Sequence, residues 1–366
     1  MFVTKRHIHI LLAAGLLVAL VPACTKNEIR QAEDMPLDFG TYSGRATRAD
    51  GTLTTTNALP TGSSFKVFGL HATTKGTFDG TNASNFMTEV EVTYDGTNYS
   101  YSPLRYWPKD DGSNFLTFWA FYPASDANVT SATNNLKYTD SLTYKVPADL
   151  SRQSDLMLSE MSATSLDLTY STTASGYDAG TVVLTFRHQL AKVEVKARLA
   201  KDTKLTSASI DTIRFKNIES AGTLATTYSA GTTTRAWKKQ SQPLEYSDSN
   251  LVSITDTNAV SVTKTPFLLL PQSLTVDTDT TTDGSQVAIL EVAFTIYYGT
   301  NKSISDHLII DLGKVKNASK TSIDTWEMNK QYVYTLVFGS DSIVITADTT
   351  DWQTGQGGNE TVEGES

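Results

Sequence analysis

The amino-acid sequence predicts an all-β protein with two domains, and three observations support this prediction. Short apolar runs of strand length alternate with polar residues, and Gly, Thr, Ser, Asn and Asp fill the gaps between the runs. No long window places its apolar residues at helical spacing. The chain has 366 residues, 39% of them hydrophobic, which is enough to fill two cores at the usual ~150 residues per domain.

The segment 181–199 shows the strand pattern most clearly, and its pattern changes halfway. Apolar residues occupy even positions first and odd positions later, as Val182, Leu184, Phe186 and Leu190 are followed by Val193, Val195, Ala197 and Leu199. A slip of one residue turns every later side chain to the opposite face of a sheet. The sequence therefore predicts a bulge, a bend or a passage to another sheet between Arg187 and Val193. We expect the two domains to meet just before this segment, near residues 176–181.

The N-terminus has the layout of an export signal. Lys5 and Arg6 precede the apolar run 8–21, which at about 14 residues is short for a membrane-spanning helix. Cys24, the only cysteine of the chain, directly follows this run and has no partner for an intramolecular disulfide. Residues 21–24 resemble a bacterial lipobox, with Pro22 where Ser or Ala is usual. We expect Cys24 to be lipidated, the alternative being ordinary signal cleavage beside an incidental cysteine.

A short apolar strand and an exposed loop follow the signal. Residues 25–34 form a polar tether, and residues 35–42 form a strand with Leu37, Phe39 and Tyr42 as its large apolar residues. The loop 43–51 is small, polar and flanked by glycine, and it contains Arg45 and Arg48. Such a loop is open to proteolysis. The sequence therefore predicts a weakly held edge strand followed by an accessible peptide bond.

Strand-length segments continue along the rest of the chain. They are 64–71, 88–94, 99–101, 115–122, 141–146, 155–158, 166–170, 209–215, 223–228, 266–271, 287–298, 303–312, 331–338 and 342–347. Segment 115–122 is apolar on both faces, which predicts a central strand that is covered on each side. Residues 353–366 are polar and glycine-rich, so we expect a disordered tail.

Composition and motifs argue against catalysis and against nucleic-acid binding. The net charge is −9 and the pI is near 5.1, which disfavours a nucleic acid as partner. The sequence contains no HExxH, GxSxG, P-loop or GxGxxG motif and no second cysteine for a metal site. We therefore predict that the protein is not an enzyme and has no cofactor.

Three groups of residues are candidate sites, and each has a structural explanation that we favour. His188 could act chemically, but a packed imidazole that fixes the bend explains it as well. The acidic pairs Asp110/Asp111 and Asp348/Asp351 could bind an ion, but Asp is common in turns for backbone reasons. The aromatic residues Tyr106, Trp107, Trp119 and Tyr122 could form a sugar-binding platform, but strand cores use the same residue types.

Several short motifs occur in a characteristic order along the chain. They are the lipobox-like signal, Arg48-Ala49 after a short strand, and the segments 106–108 (YWP), 118–123 (FWAFYP), 154–157 (SDLM), 186–193 (FRHQLAKV), 269–272 (LLPQ) and 326–334 (WEMNKQYVY). In this order they resemble the fimbrillin family, the pilins and pilin-like lipoproteins of Bacteroidetes. The resemblance implies two transthyretin-like β-sandwich domains in tandem and export as an outer-membrane lipoprotein precursor.

The resemblance also implies a function. Stalk-type fimbrillins lose their lipid anchor and first strand to an arginine-specific protease, and a strand from the next subunit fills the vacated groove. For this chain it implies cleavage after Arg48, with Arg45 less favoured, so that the mature chain begins at Ala49. An ordinary exposed loop with two arginines is the alternative. A donated strand should alternate apolar and polar side chains, and residues 353–366 do not. If the chain donates a strand, residues 342–347 must therefore detach, with Ile343 and Ile345 as anchors.

Together these inferences predict the organisation of the chain and its role. We expect a signal peptide at 1–24, a propeptide at 25–48, β-sandwich domains at 49–178 and 179–352, and a tail at 353–366. The predicted role is a structural subunit of a surface fimbria, whether of its stalk, its tip or an accessory position, that assembles by protease-triggered donor-strand exchange and serves adhesion. Its predicted partners are other fimbrial subunits, outer-membrane lipid and an arginine-specific protease. The alternative is a surface lipoprotein that does not polymerise and binds glycans or host proteins.

Overall fold

The computed structural model describes the chain from Met35 to Trp352 with gaps. The described residues are 35–43, 59–76, 83–108, 113–132, 141–161, 165–169, 181–201, 203–229, 232–239, 242–249, 252–275, 287–299 and 302–352. No α-helix occurs among them, and none of their helical turns is long and apolar enough to cross a membrane. The prediction of an all-β fold is confirmed.

The described residues form 23 strands and short 3-10 turns at Leu150–Arg152 and Leu312–Lys314. The strands are β1 (Asp38–Ser43), β2 (Ser64–Ala72), β3 (Ala83–Tyr94), β4 (Tyr99–Tyr101), β5 (Phe115–Tyr122), β6 (Val129–Ala132), β7 (Ser141–Lys145), β8 (Met157–Ser159), β9 (Thr181–His188), β10 (Ala191–Leu199), β11 (Ser207–Glu219) and β12 (Ala221–Ser229). They continue with β13 (Thr232–Lys239), β14 (Pro243–Asp248), β15 (Val252–Ile254), β16 (Val260–Ser261), β17 (Phe267–Leu269), β18 (Gln272–Ser273), β19 (Ile289–Tyr298), β20 (Lys302–Asp311), β21 (Thr325–Trp326), β22 (Lys330–Phe338) and β23 (Ile343–Asp351).

Sheet I contains seven strands in the order β1-β9-β8-β5-β2-β3-β4. β1 pairs with β9 in parallel, whereas the other neighbours are antiparallel. β5 lies in the middle of the sheet, and only its first and last residues are not fully buried. Its apolar side chains face two separate clusters, with Phe118 on one side and Trp119 on the other. The prediction of a central strand covered on both faces is confirmed.

Sheet II has the order β13-β12-β7-β6 and covers one face of sheet I. Its β12–β13 hairpin comes from much later in the sequence than β7, its partner, and Leu224 of β12 pairs with Leu142 of β7. Arg235 of β13 donates a hydrogen bond to the backbone carbonyl of Ser159 in sheet I. The two halves of the chain therefore share a sheet.

Sheets III and IV pack face to face. Sheet III has the order β16-β10-β22-β23 with β17 also on β10, and sheet IV has the order β14-β11-β19-β20 with β15 also on β11. Phe215 of sheet IV meets Phe267 of sheet III at a ring distance of 4.9 Å, and Phe294 meets Phe338 at 5.5 Å. These residues belong to one continuous core, which we call the main cluster, that also includes the sheet II face of sheet I.

The change of buried face in segment 181–199 is confirmed. Even-numbered residues are buried in β9, and odd-numbered residues are buried from Ala191 to Leu199 in β10. The chain achieves this by passing from sheet I to sheet III through Gln189 and Leu190. β9 belongs to sheet I and the β12–β13 hairpin belongs to sheet II, although all three strands come after residue 179. The division into tandem domains at 49–178 and 179–352 therefore stays a prediction.

Candidate functional site at the N-terminal edge strand

The N-terminal segment 35–43 contacts both ends of sheet I. Residues of β1 pair with β9 at one edge, from Asp38 opposite Thr181 to Ser43 opposite Phe186. Just before β1, the segment pairs with the chain that follows β4 at the other edge. There Leu37 N–H donates to the Arg105 carbonyl at 2.9 Å, and Trp107 N–H donates to the Met35 carbonyl at 3.0 Å. The segment therefore closes the open side of sheet I.

The closed side contains a separate core, which we call the inner cluster. Its members are Leu37, Phe39, Leu59, Phe65, Val67, Met87, Val92, Trp107, Leu116, Phe118, Ala120, Met157, Val182, Leu184 and Phe186. Leu37 is 0% exposed and Phe39 is 4% exposed, although both belong to an edge segment. Alternation explains this, because Asp38 between them points outward to solvent.

Phe39 is the main aromatic anchor of the segment. Its ring meets Tyr101 at 5.5 Å, Phe118 at 5.8 Å and Phe65 at 6.4 Å, all edge to face. Such edge-to-face pairs add to the stabilisation that burial alone provides. Phe39 therefore fills a site whose walls come from β2, β4 and β5.

The phenol of Tyr101 fixes the start of the segment. Its hydroxyl donates a hydrogen bond to the Leu37 carbonyl at 2.7 Å. Burial raises the pKa of Tyr101, so the hydroxyl keeps its proton at physiological pH. A second tyrosine hydroxyl, on Tyr99, lies within hydrogen-bond distance of the Thr41 hydroxyl. Partial burial also raises the pKa of the Asp38 carboxyl, although this side chain reaches solvent.

Gly69 of β2 sets the position of one wall of the site. A Cβ atom at Gly69 would lie 2.8 Å from Cε1 of Phe118 and 3.3 Å from Cβ of Met87. Real Cβ atoms essentially never approach another atom to 2.8 Å, so a side chain at residue 69 would require a shift of the Phe118 ring, which also contacts Phe39. The absence of a side chain therefore keeps the inner cluster open for the N-terminal segment.

The predicted donor strand occupies a different kind of edge. β23 is the last strand of sheet III and pairs along its whole length with β22. Ile343 and Ile345 are half-buried against the main cluster, and Val344 between them is 52% exposed. Ala347 is buried, and its N–H donates to the Lys316 carbonyl at 3.2 Å. The strand extends to Asp351, beyond the predicted end at residue 347.

His188 lies in a packed contact at the end of β9. Its Nδ1 is 2.7 Å from Oδ1 of Asp155, and its ring stacks on Trp352 with centroids 3.8 Å apart and planes 3° apart. His188 and Trp352 are 3% and 8% exposed. The structural explanation for His188 therefore fits the geometry, and its two partners could not be inferred from the sequence around it.

Comparison with known proteins identifies the family. A family model described as fimbrillin-like matches residues 47–352. The chain belongs to the fimbrillin-like family. The fimbrium subunit Fim1C of Phocaeicola vulgatus is 26% identical over 202 residues, which are 50% of this chain and 51% of that protein. The matched region thus spans about half of that relative.

A solved structure shows a similar fold. The crystal structure of a fimbrial protein from Bacteroides vulgatus has a TM-score of 0.56 and 17% sequence identity, covering 79% of this chain and 93% of that one. Membership of the fimbrillin-like family implies a surface-exposed, extracellular location. The family match places the chain among fimbrial proteins.

Several predicted site residues of this fimbrillin-like chain lie outside the described residues. They are the lipidation site Cys24 and the cleavage-site residues Arg45, Arg48 and Ala49. The backbone of Tyr42 lies in β1 opposite Thr185. The family match begins at residue 47, so β1 precedes the matched region.

The other candidate sites of this family member do not assemble. Trp107 lies in the inner cluster, whereas Trp119 faces the main cluster and stacks on Phe68 at 4.3 Å. Tyr106 is 46% exposed, so these aromatic residues do not share a platform. Asp348 and Asp351 are exposed, and Asp110 and Asp111 lie outside the described residues. Within the described ranges, no three His, Cys, Asp or Glu side chains group as a metal site.

Proposed function

We propose that this protein is a structural subunit of a surface fimbria that assembles by exchange of the N-terminal strand. One observation carries the proposal. Leu37 and Phe39, two residues of an edge segment, fill a core that sheet I leaves open on its own. A strand at an edge can leave without breaking the sheet, and this one would leave both an apolar groove and unpaired backbone behind.

The vacated groove has the two features that strand addition needs. The edge of β9 offers backbone N–H and C=O groups that give general affinity, and the sites of Leu37 and Phe39 give register. Two buried side chains at ~1.5–3 kcal/mol each contribute roughly 3–6 kcal/mol before ordering costs. A partner strand that also replaces the contacts with Arg105 and Trp107 would bind more tightly.

Cleavage after Arg48 would free the strand. Arg45 and Arg48 are the basic residues between β1 and the first described residue of the next segment, Leu59. The surrounding residues are small and polar, which suits access by an arginine-specific protease. Lipidation of Cys24 would hold the uncleaved precursor on the outer membrane, because acyl chains anchor at ~0.8 kcal/mol per buried methylene.

β23 is the strand that we propose this subunit donates. Ile343 and Ile345 alternate with the exposed Val344, as Leu37 and Phe39 alternate with Asp38. Because its anchors are half-buried, β23 exposes less apolar surface when it detaches than β1 does. Its departure would leave β22 as the edge of sheet III.

A disulfide between β1 and β9 tests strand exchange. Gly40 lies opposite Val183 in the parallel pair, and neighbouring strands are close enough for a disulfide. In the Gly40→Cys/Val183→Cys variant, with Cys24 kept because acylation consumes its thiol, oxidised protein should be cleaved but should not form a high-mass ladder in unheated gel samples. Reduction should restore the ladder. The single Val183→Cys variant is the control, and a ladder from the oxidised double variant contradicts the mechanism.

N-terminal sequencing and labelling test the processing steps. Surface-assembled protein should begin at Ala49, and Arg48→Lys should block this cleavage while Arg45→Lys should not. A fatty-acid analogue should label the wild-type precursor but not Cys24→Ser. Polymers that still contain Cys24 would exclude the processing mechanism. A protein that stays monomeric and keeps its lipid would instead support a binding lipoprotein that recognises glycans or host proteins.

A further inference from the structure

The contact around His188 joins three strands that are far apart in the sequence. Asp155 precedes β8, His188 ends β9, and Trp352 directly follows β23. We call Asp155, His188 and Trp352 the C-terminal clasp. His188 lies two residues beyond Phe186, the β9 residue that pairs with the last residue of β1. The clasp therefore links β23 to the strand that holds the N-terminal segment.

Backbone hydrogen bonds link two of these regions, the end of β9 and the end of β23, through the turn before β22. Asn329 N–H donates to the Leu190 carbonyl at 3.2 Å, and Trp352 N–H donates to the Asn329 carbonyl at 2.9 Å. Asn329 has φ of 61°, a left-handed conformation that asparagine adopts more readily than most residues. The turn before β22 thus connects the β9–β10 passage to the end of β23.

The last part of β23 buries little side-chain surface of its own. Its residues from Asp348 to Asp351 are all exposed, and Ala347 is its last buried residue. Asp351 forms an exposed ion pair with Lys330 at 2.7 Å, and such pairs contribute little. Beyond the ladder to β22, the stacked indole of Trp352 is therefore the main side-chain contact that fastens this end of the strand.

We propose that the C-terminal clasp retains β23 on its own subunit and sets how readily the strand detaches. Trp352 covers His188 and is covered by it, so the end of β23 can leave only when the stack opens. Asp155 acts as a positioning residue, because its carboxylate accepts from Nδ1 and holds the imidazole plane parallel to the indole. Retention is a property of the monomer, and only its consequence for assembly rests on the proposed function.

Hydrogen exchange of the full-length monomer tests the clasp. Trp352→Ala should speed amide exchange in residues 343–351 by about tenfold or more, because an aromatic stack and a buried indole are both lost. Exchange in β2 to β4, which contribute no residue to the clasp, should stay unchanged. Asp155→Ala alters a partly exposed side chain and should give a smaller increase in the exchange rate of residues 343–351. This variant also tests the proposal if Trp352→Ala does not fold.

Trp237→Ala is the matched control. Its indole N–H donates to the Gln189 carbonyl at 2.8 Å, so it contacts the same passage but belongs to β13. It should speed exchange in β12 and β13 and leave residues 343–351 as in wild type. Unchanged exchange of β23 in both clasp variants overturns the proposal, as does an equal increase throughout the chain. Faster exchange of β23 without any change in polymer formation supports the clasp and contradicts donation of β23.

Discussion

The two ends of the described chain are both edge strands, but they are held in different ways. β1 is short, yet Phe39 within it and Leu37 just before it lie fully inside the inner cluster, where Tyr101, Phe118 and Phe65 surround the phenyl ring. β23 is longer and covers the rim of the main cluster with half-buried isoleucines. Strand length is therefore a poor guide to how firmly an edge strand is held.

This difference separates two roles that an edge strand can have. Loss of β1 would expose apolar side chains inside the inner cluster, which favours binding of another strand in its place. Loss of β23 uncovers a surface that is already partly exposed, so it costs less. Under the proposed strand exchange, the edge that β1 leaves would accept a partner's strand, and β23 would be the strand that is donated.

Truncation of the anchors should show the largest difference between the two edges. Phe39→Ala should lower the free energy of unfolding by about 3–5 kcal/mol, as expected for a fully buried phenylalanine. Ile345→Ala should cost less than about 2 kcal/mol, because the side chain is half-buried and leaves a smaller cavity. Urea unfolding followed by tryptophan fluorescence measures both. Equal losses would show that the two strands are held alike.

A side chain at Gly69 should loosen β1 without touching it. Gly69→Ala should cost about 1–3 kcal/mol, because the new methyl group overpacks the Phe118 ring. The cost should shrink in a Phe118→Leu background, where the clash is relieved, and a double-mutant cycle of unfolding free energies measures this coupling. If the two changes add independently, Gly69 does not act on the groove through Phe118.

Loss of one hydroxyl should have a smaller effect on the start of the segment. Tyr101→Phe removes the hydrogen bond to the Leu37 carbonyl and should cost about 0.5–1.5 kcal/mol. Amide exchange at residues 35–43 should become faster. Tyr94→Phe is the control, because its hydroxyl donates to the Gly96 carbonyl in an exposed turn. The prediction is wrong if both variants affect residues 35–43 equally.

The smallest effect concerns the charge on β1. Because burial raises the pKa of Asp38, stability should fall as pH rises from the unfolded-state pKa through the folded one. Asp38→Asn should therefore stabilise the neutral-pH protein slightly, within about 0.5 kcal/mol, and remove that part of the pH dependence.

Asp95 provides a control of opposite sign. Backbone N–H groups of Asn98 and Thr97 lower the pKa of Asp95, so its contribution is present above the unfolded-state pKa and is lost as pH falls through the folded one. Asp95→Asn should lower the free energy of unfolding of the protein at neutral pH. Thermal melts of both variants at pH 3 to 8 check the two signs, and a destabilising Asp38→Asn would contradict the assignment.

The sequence contained the local features of this structure but not its long-range pairings. The face change after Arg187 was visible because alternation is a local property of neighbouring residues. β13 was missed because Thr232–Lys239 begins with three threonines and has few apolar residues. The prediction of a strand at 166–170 was wrong for its described part, 166–169, which meets β5 through a single bridge between Leu168 and Leu116 and forms no ladder. Alternation alone predicted this strand.

The candidate site was predicted in part for the same reason. Leu37 and Phe39 could be recognised as anchors from their own spacing. Tyr101 and the Arg105 carbonyl could not, because they meet the segment only through the closure of sheet I. Trp352 and His188 likewise lie far apart in the sequence, and no local pattern predicts that two aromatic rings will stack.

The hairpin that completes sheet II also constrains the order in which the chain can fold. β6 and β7 have only each other as strand partners until β12 arrives, so the second edge of β7 stays unpaired while residues 146–220 are being made. A two-stranded ribbon is marginal in water, and long-range pairing delays folding. The N-terminal half of a growing chain is therefore unfinished until Lys239 has emerged, and chaperones that bind apolar strands have that interval in which to act.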